Sequence, residues 1–333
     1  MAIQRSALPV LASLLLGCGS VAELLGVITS DAGPTGAVPD ASVADTGQPD
    51  TGGDVDASIE GGADAEAGAA DADAGDALDA GFLRTPFGPP SLVTALADID
   101  ADNEDPSMTG DSLELYFLST RGGNAAIWLS LRASPDAGWG APAPVTELSS
   151  DSGEGAPGVS LDGLTLWFSR SSQIWVSSRA ARTQPWGAPT LVPELNTVGG
   201  NLDPAVDESS LLMFFGSNRG DAGWDLYSSS RADTLSTWGP PAPVPGVNTA
   251  ADDLDPFVAS YGLQVWFASS RSGAGDLFWS YRASTADPFV TPIALDTLNS
   301  PSKESDPTLS VDFRYILFAS NRIGMPQIYE AYR

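Results

Sequence analysis

From residue 82 onward, short apolar runs alternate with clusters of Gly, Pro, Asp, Ser and Asn, and the alternation repeats. A unit recurs five times, anchored on Pro106, Pro157, Pro204, Pro256 and Pro307, at spacings of 51, 47, 52 and 51 residues. Each copy has a short strand at the proline, a polar turn, and an apolar strand that closes on Phe, over 113–117, 164–168, 211–215, 263–267 and 315–318. A Gly-rich loop carrying an Arg leads to a third strand around Trp128, Trp175, Tyr227, Phe278 and Tyr329, which runs on to Arg132, Arg179, Arg231, Arg282 and Arg333. A fourth element opens on Trp139, Trp186, Trp238 or, in the fourth copy, Phe289. Four short strands in about 50 residues predict an all-β fold, a five-bladed β-propeller of four-stranded blades over residues 82–333. The fifth copy reaches Arg333 after its third strand, and 86–96 matches the fourth element. An N-terminal strand is therefore expected to complete the last blade and leave no bare edge.

Charge changes the picture of what precedes the repeats. The chain has 333 residues with 43 Asp+Glu against 15 Lys+Arg, no His and one Cys. Residues 19–81 hold 14 of the acids, no base and no aromatic residue. Such a segment cannot bury enough apolar surface to offset its conformational entropy, and it predicts a disordered acidic linker. The propeller region carries a net charge of −15 and all nine Trp and seven Tyr. The absence of His excludes Ser-His-Asp and Cys-His nucleophile systems and His-bearing zinc sites. Lys303 is the only lysine, so no polybasic patch can be built for nucleic acid or an anionic membrane face. No cofactor is expected.

Residues 1–18 resemble a bacterial lipoprotein signal peptide: Arg5, an apolar run over 7–16, then Leu15, Leu16, Gly17 and Cys18. Leu16 is bulkier than the small residue usual there. The resemblance implies cleavage before Cys18, lipid attachment to that only thiol, and, with Gly19 following, an outer-membrane lipoprotein facing periplasm or cell surface. An uncleaved membrane anchor over 7–28 and an ordinary secretory signal are the competing readings. Given an anchor, some 60 linker residues would span ~40 Å root-mean-square and hold the domain off the bilayer.

The repeat motif is Asp-Pro, Ser-x-Asp-Gly, Leu-x-Phe-x-Ser, Arg, Asp-Leu-Tyr. Its closest copies are Ser160-Leu161-Asp162-Gly163 and Asp203-Pro204 with Ser217-Asn218-Arg219 and Asp225-Leu226-Tyr227. It resembles the TolB-like propeller repeat of bacterial envelope proteins, over 82–333. The resemblance implies the fold; such repeats serve as docking platforms, sensors and enzyme accessories. TolB has six blades and a separate N-terminal domain, so its role is not carried over.

Strand one begins at the rim where strand two ends. That predicts Asp-Arg pairs on one rim: Asp105 with Arg121, Asp203 with Arg219, Asp255 with Arg271, Asp306 with Arg322. We read them as structural, with a carboxylate ring for a cation or sugar as the alternative. In blade two Ala156 replaces the Asp and the loop before Ile174 is shorter, which leaves Glu154 and Arg170 as candidates for an asymmetric pocket, against simple drift of one repeat. Asp98, Asp100 and Asp102 have the start of a calcium-loop pattern, but Asn103 stands where the turn Gly belongs and Thr109 where the closing Glu should be. A solvated acidic connector is the simpler reading. The Trp residues recur in phase with the blades and are expected to pack them.

Two functions fit. One is a noncatalytic, monomeric envelope lipoprotein, attached to the membrane by its lipid, whose propeller binds a protein, peptide or glycan. The other is a glycosidase, since two carboxylates suffice for that chemistry, with Glu154 and Asp105 or Asp203 as the pair. Calcium-dependent adhesion is a third, weaker idea.

Overall fold

The computed structural model describes residues 85–220 and 223–333. The expected leader, Cys18 and the linker over 19–81 lie outside the described residues. Five four-stranded antiparallel sheets form the blades. Blade one is β2 (Asn103–Met108), β3 (Glu114–Ser119), β4 (Ala126–Leu131) and β5 (Ala143–Pro144). Blade two is β6 (Gly155–Val159), β7 (Thr165–Arg170), β8 (Gln173–Ser178) and β9 (Thr190–Leu191), and blade three β10 (Asn201–Val206), β11 (Leu212–Ser217), β12 (Asp225–Ser230) and β13 (Ala242–Pro243). Blade four is β14 (Asp253–Ala259), β15 (Gln264–Ser269), β16 (Asp276–Tyr281) and β17 (Ile293–Ala294). Blade five joins β18 (Glu304–Leu309), β19 (Tyr315–Ser320) and β20 (Gln327–Tyr332) to β1 (Ser91–Leu92), which pairs antiparallel with β20. The expected closure by an N-terminal strand is thus present. Neighbouring inner strands touch all the way round, β2 with β6, β6 with β10, β10 with β14, β14 with β18, and β18 with β2.

The strand pattern follows from burial. Inner and second strands are buried on both faces; the second strands read as largely apolar runs, whereas the inner strands carry buried polar residues such as Asn103, Asn201 and Glu304, and the outermost strands are two residues long and mostly exposed. Phe117, Phe168, Phe215, Phe267 and Phe318 are fully buried in the seams between blades. The arginine that ends each third strand stacks on the aromatic residue that opens the fourth: Arg132 on Trp139 at 4.2 Å, Arg179 on Trp186 at 4.4 Å, Arg231 on Trp238 at 4.4 Å and Arg282 on Phe289 at 4.6 Å. Arg333 repeats the contact with Phe87 at 4.5 Å, across 246 positions of sequence. The recurrent Trp residues are therefore blade packing, each carrying a cation–π contact.

Each inner strand breaks register at its proline, an Asp-Pro step in four blades and Ala156-Pro157 in blade two. Proline cannot donate to the ladder, so it is tolerated there only at a bulge. The residue before it adopts a left-handed φ in every blade: 55° at Asp105, 49° at Ala156, 60° at Asp203, 58° at Asp255 and 58° at Asp306. Asp accepts that conformation more readily than other side chains, which is why four of the five copies carry it.

Candidate functional site

The bulge decides where the carboxylates point. It turns the residue before each proline onto the ring axis, so Asp105, Asp203, Asp255 and Asp306 are buried there, none more than 2% exposed. Each carboxylate points at the backbone of the next blade. The Ala156 N–H donates to Asp105 at 2.5 Å and the Asp105 N–H to Asp306 at 3.4 Å. The N–H groups of Asp255 and Asp306 are directed at Asp203 and Asp255 respectively. Ala156 offers no carboxylate, and the Asp203 N–H turns instead to Ser169 Oγ, 3.3 Å away.

The expected Asp-Arg rim is corrected by this geometry. In each blade the rim arginine reaches the residue two positions before the Asp. Arg121 donates to Asn103, Arg219 to Asn201 at 2.5 Å, Arg271 to Asp253 at 2.5 Å and Arg322 to Glu304 at 3.0 Å. The same guanidinium also bonds a Ser hydroxyl at the end of strand two and a backbone carbonyl, as Arg219 does with Ser217 and Leu195. It stacks on the buried Phe and on the third-strand aromatic. The bulge lies between the two positions; it sends the Asp to the axis and leaves the earlier residue facing the arginine.

Blade two follows the same plan by another route. Arg170 lies two residues after Phe168 rather than four, yet its guanidinium bonds Glu154 at 2.9 Å and the Leu148 carbonyl at 2.7 Å, and lies over Phe168 and Trp175. Glu154 has no exposed surface and also accepts from Ser150. The two residues expected to frame an open pocket form a closed ion pair, because a shorter loop carries a displaced arginine to the place its counterparts occupy.

The acidic connector before blade one is likewise self-contained. The Asp98 carboxylate accepts from the Asp100 N–H, the Asp98 carbonyl is taken by Gln327 and Asn103, and the Asp102 N–H bonds Thr120. Among the described residues no three His, Cys, Asp or Glu side chains converge on a metal-sized site. Asp98, Asp100 and Asp102, read from the sequence as the start of a calcium-loop pattern, are not gathered into such a site.

Two residues that motif reasoning passed over complete the axial site. Glu104, beside Asp105, is 4% exposed, and the half-buried Lys303 lies at the same mouth. Burial, with further repulsion from Asp102 and Asp255, pushes the Glu104 carboxyl up to about 8, against the opposing pull of Lys303. Burial and mutual repulsion also raise Asp105, Asp203 and Asp306 well above the usual carboxylate range. Asp255 is raised by burial, with Lys303 acting against it. Burial alone would lower Lys303, but attraction to Asp255, Asp306, Glu104 and Asp105 raises it. One carboxylate oxygen each of Asp255 and Asp306 has no hydrogen-bond partner, a state that protonation relieves. Four acids facing one axis cannot all ionise. The signal was present in the sequence: the chain's only lysine stands three residues before an Asp-Pro step, and Glu104 is the only carboxylate directly before one of the four Asp-Pro pairs of the inner strands.

No family model matches the chain, and no curated protein matches it. Solved structures do. The endo-arabinase of Bacteroides thetaiotaomicron superposes with a TM-score of 0.54 at 15% identity, covering 74% of this chain and 97% of that one. A thermostable family-43 glycoside hydrolase gives 0.50 at 12%, covering 70% and 88%. TolB from Acinetobacter baumannii gives 0.46 at 15%, covering 68% of this chain and 53% of the other, so the chain spans about half the length of that protein. The first two likenesses show the β-propeller fold.

Proposed function

We propose that the protein is an envelope lipoprotein, held to the outer membrane through Cys18, whose propeller is a noncatalytic binding module for a protein, peptide or glycan. The observation that carries the noncatalytic part of this reading is the inaccessibility of the candidate acids on the axis and at the rim of blade two. A glycosidase needs one carboxyl in contact with the leaving oxygen and a second near the anomeric carbon. Glu104 has the raised pKa of a general acid, and the endo-arabinase likeness shows that such a ring can host an enzyme of that class. Yet Glu104 is 4% exposed, Asp105, Asp203 and Glu154 have no exposed surface, and Glu154 is held by Arg170. A sugar cannot touch groups that water does not reach.

The test is a panel of immobilised glycans and envelope polypeptides probed with the full chain, beside a reducing-end assay on arabinan and related polymers. Binding without release of sugar is the expected result. Turnover that disappears in Glu104→Gln or Glu154→Gln would overturn the noncatalytic reading. For the anchor, Cys18→Ala is expected to move the protein from the membrane to the soluble fraction of cells; retention in the membrane fraction would refute lipid attachment at Cys18.

A further inference from the structure

On the face opposite the acidic mouth, each blade meets the next across a seam, and the five seams are not equivalent. Between blades one and two, Glu114 of blade one reaches across to blade two. It accepts from Arg179 at 2.6 Å and Arg182 at 2.9 Å, and Arg182 also pairs with Asp111. Between blades two and three the same positions are occupied by Thr165, where Glu114 stood, and by Thr234, where Arg182 stood. The carboxylate is gone and the arginine that would have received it remains. The seam is open there as a groove of about 590 Å³.

Arg231, the counterpart of Arg179, is fixed in that groove. Its Nε donates to the Ser210 carbonyl at 2.9 Å and Nη1 to the Thr234 carbonyl at 3.1 Å, and the guanidinium lies 4.4 Å from the Trp238 ring and 5.9 Å from Trp167. Nη2, the atom through which Arg179 holds Glu114, has no partner within the described protein. Asp233 and Asp207 attract Arg231 through space, but none of the nearby acids bonds Nη2, and each holds donors of its own. Asp162 accepts from Ser160 Oγ and the Leu164 N–H, Asp207 from Ser209 and two backbone N–H groups, and Asp233 from Ser236 and the Leu235 N–H.

We infer that this groove is a binding site for a carboxylate-bearing sugar, a uronate, whose carboxylate takes on Arg231 the place that Glu114 takes on Arg179. The inference rests on the binding-module reading above and gives it a ligand class. A rigid guanidinium with a free N–H is a carboxylate receptor, and the neighbouring seam shows the same receptor filled from within the chain. The rest of the lining favours a sugar over an acidic peptide. It joins hydroxyl groups, among them those of Thr165, Ser178, Ser209 and Ser236, to the faces of Trp167 and Trp238, with Glu194 as a further acceptor. The adjacent edge strand, β9, is two residues long and offers little for an extended peptide to pair with.

The full chain would be titrated with oligogalacturonate, with its methyl-ester form and with a poly-glutamate peptide, by calorimetry. Oligogalacturonate should bind, and its ester at least about tenfold more weakly, since one charge-assisted contact is lost. Arg231→Gln should weaken binding similarly. Thr165→Glu recreates the filled seam and should abolish binding while leaving the melting temperature equal or higher, which separates site closure from unfolding. Absence of oligogalacturonate binding, equal affinity for the ester, binding of the peptide alone, or binding undisturbed in a folded Thr165→Glu variant would each overturn the inference. If Thr165→Glu still captures another glycan or polypeptide in the panel described above, the binding-module reading survives the loss of this site.

Discussion

Replacing Glu104 by Gln tests the axial site directly, because it keeps the shape and removes the titration. Unfolded, the Glu104 carboxyl would have its ordinary value of 4.5; in the ring it is pushed up to about 8. A carboxyl whose folded pKa is raised favours folding in its protonated form. Its contribution is complete below about 4.5 and is lost as pH rises through about 8. Each unit of difference corresponds to about 1.4 kcal/mol, so the wild-type chain should lose about 5 kcal/mol through this one group between pH 4.5 and 9. Glu104→Gln should not suffer that loss. The two proteins should have similar stability at pH 4.5, and the variant should gain steadily up to pH 8 and then hold a constant lead. Urea denaturation of both full chains across this range reads the difference, and the remaining axial acids, shared by the two proteins, largely cancel. Parallel pH profiles for the two proteins would refute the assignment of Glu104 as a neutral group at the axis.

Lys303→Met removes the only cation that opposes repulsion among Glu104, Asp255 and Asp306; it should leave stability at pH 4.5 nearly unchanged and lower it at pH 8 by several °C in melting temperature, and a uniform loss at both values would contradict the electrostatic role. Ala156 holds φ 49° with a Cβ that disfavours it, so Ala156→Gly should be neutral or raise stability by about 0.5–1 kcal/mol in chemical denaturation, a clear loss arguing against backbone strain at that bulge. Gly246 has φ 92°, and a Cβ there would come within 2.2 Å of the Phe289 carbonyl oxygen; Gly246→Ala should destabilise by at least about 2 kcal/mol, measured as a fall in melting temperature. Phe87→Ala empties the place that Arg333 covers in blade five, with an expected cost of about 3–5 kcal/mol and faster proteolysis near residue 85.

The blades, their number and the closing strand were legible because all three depend on what recurs: prolines at near-equal spacing, phenylalanines at the seam, an arginine followed by an aromatic residue seven positions on. The pairing of the rim was not legible in the same way. The repeat pattern brings Asp203 and Arg219 to the same end of the blade, and only the left-handed turn at Asp203 shows that the arginine belongs to Asn201. A clue lay in the repeat itself, since Asn103, Glu154, Asn201, Asp253 and Glu304 place a polar residue at one register in all five copies. Glu154 and Arg170 looked like an exception because the loop length differs, whereas the fold required only that a guanidinium arrive. Glu104 and Lys303 escaped motif reasoning because they occur once each, and a repeat read for its likenesses hides its singular positions. The groove beside Arg231 needed coordinates, since the loss of Glu114's counterpart has meaning only when facing blades are compared.

The closing of blade five by β1 also sets how the ring would bear a load. A pull on the chain upstream of Thr85 does not reach the seams at once. It falls first on a strand that pairs with β20 through only two residues, flanked by the Gly88 N–H to Tyr332 and Val93 N–H to Ile328 bonds and the stacking of Arg333 on Phe87. That short clasp would be the first element to give way. Under tension it should release a few residues of slack while the other four blades stay intact, and it can re-form once the tension falls.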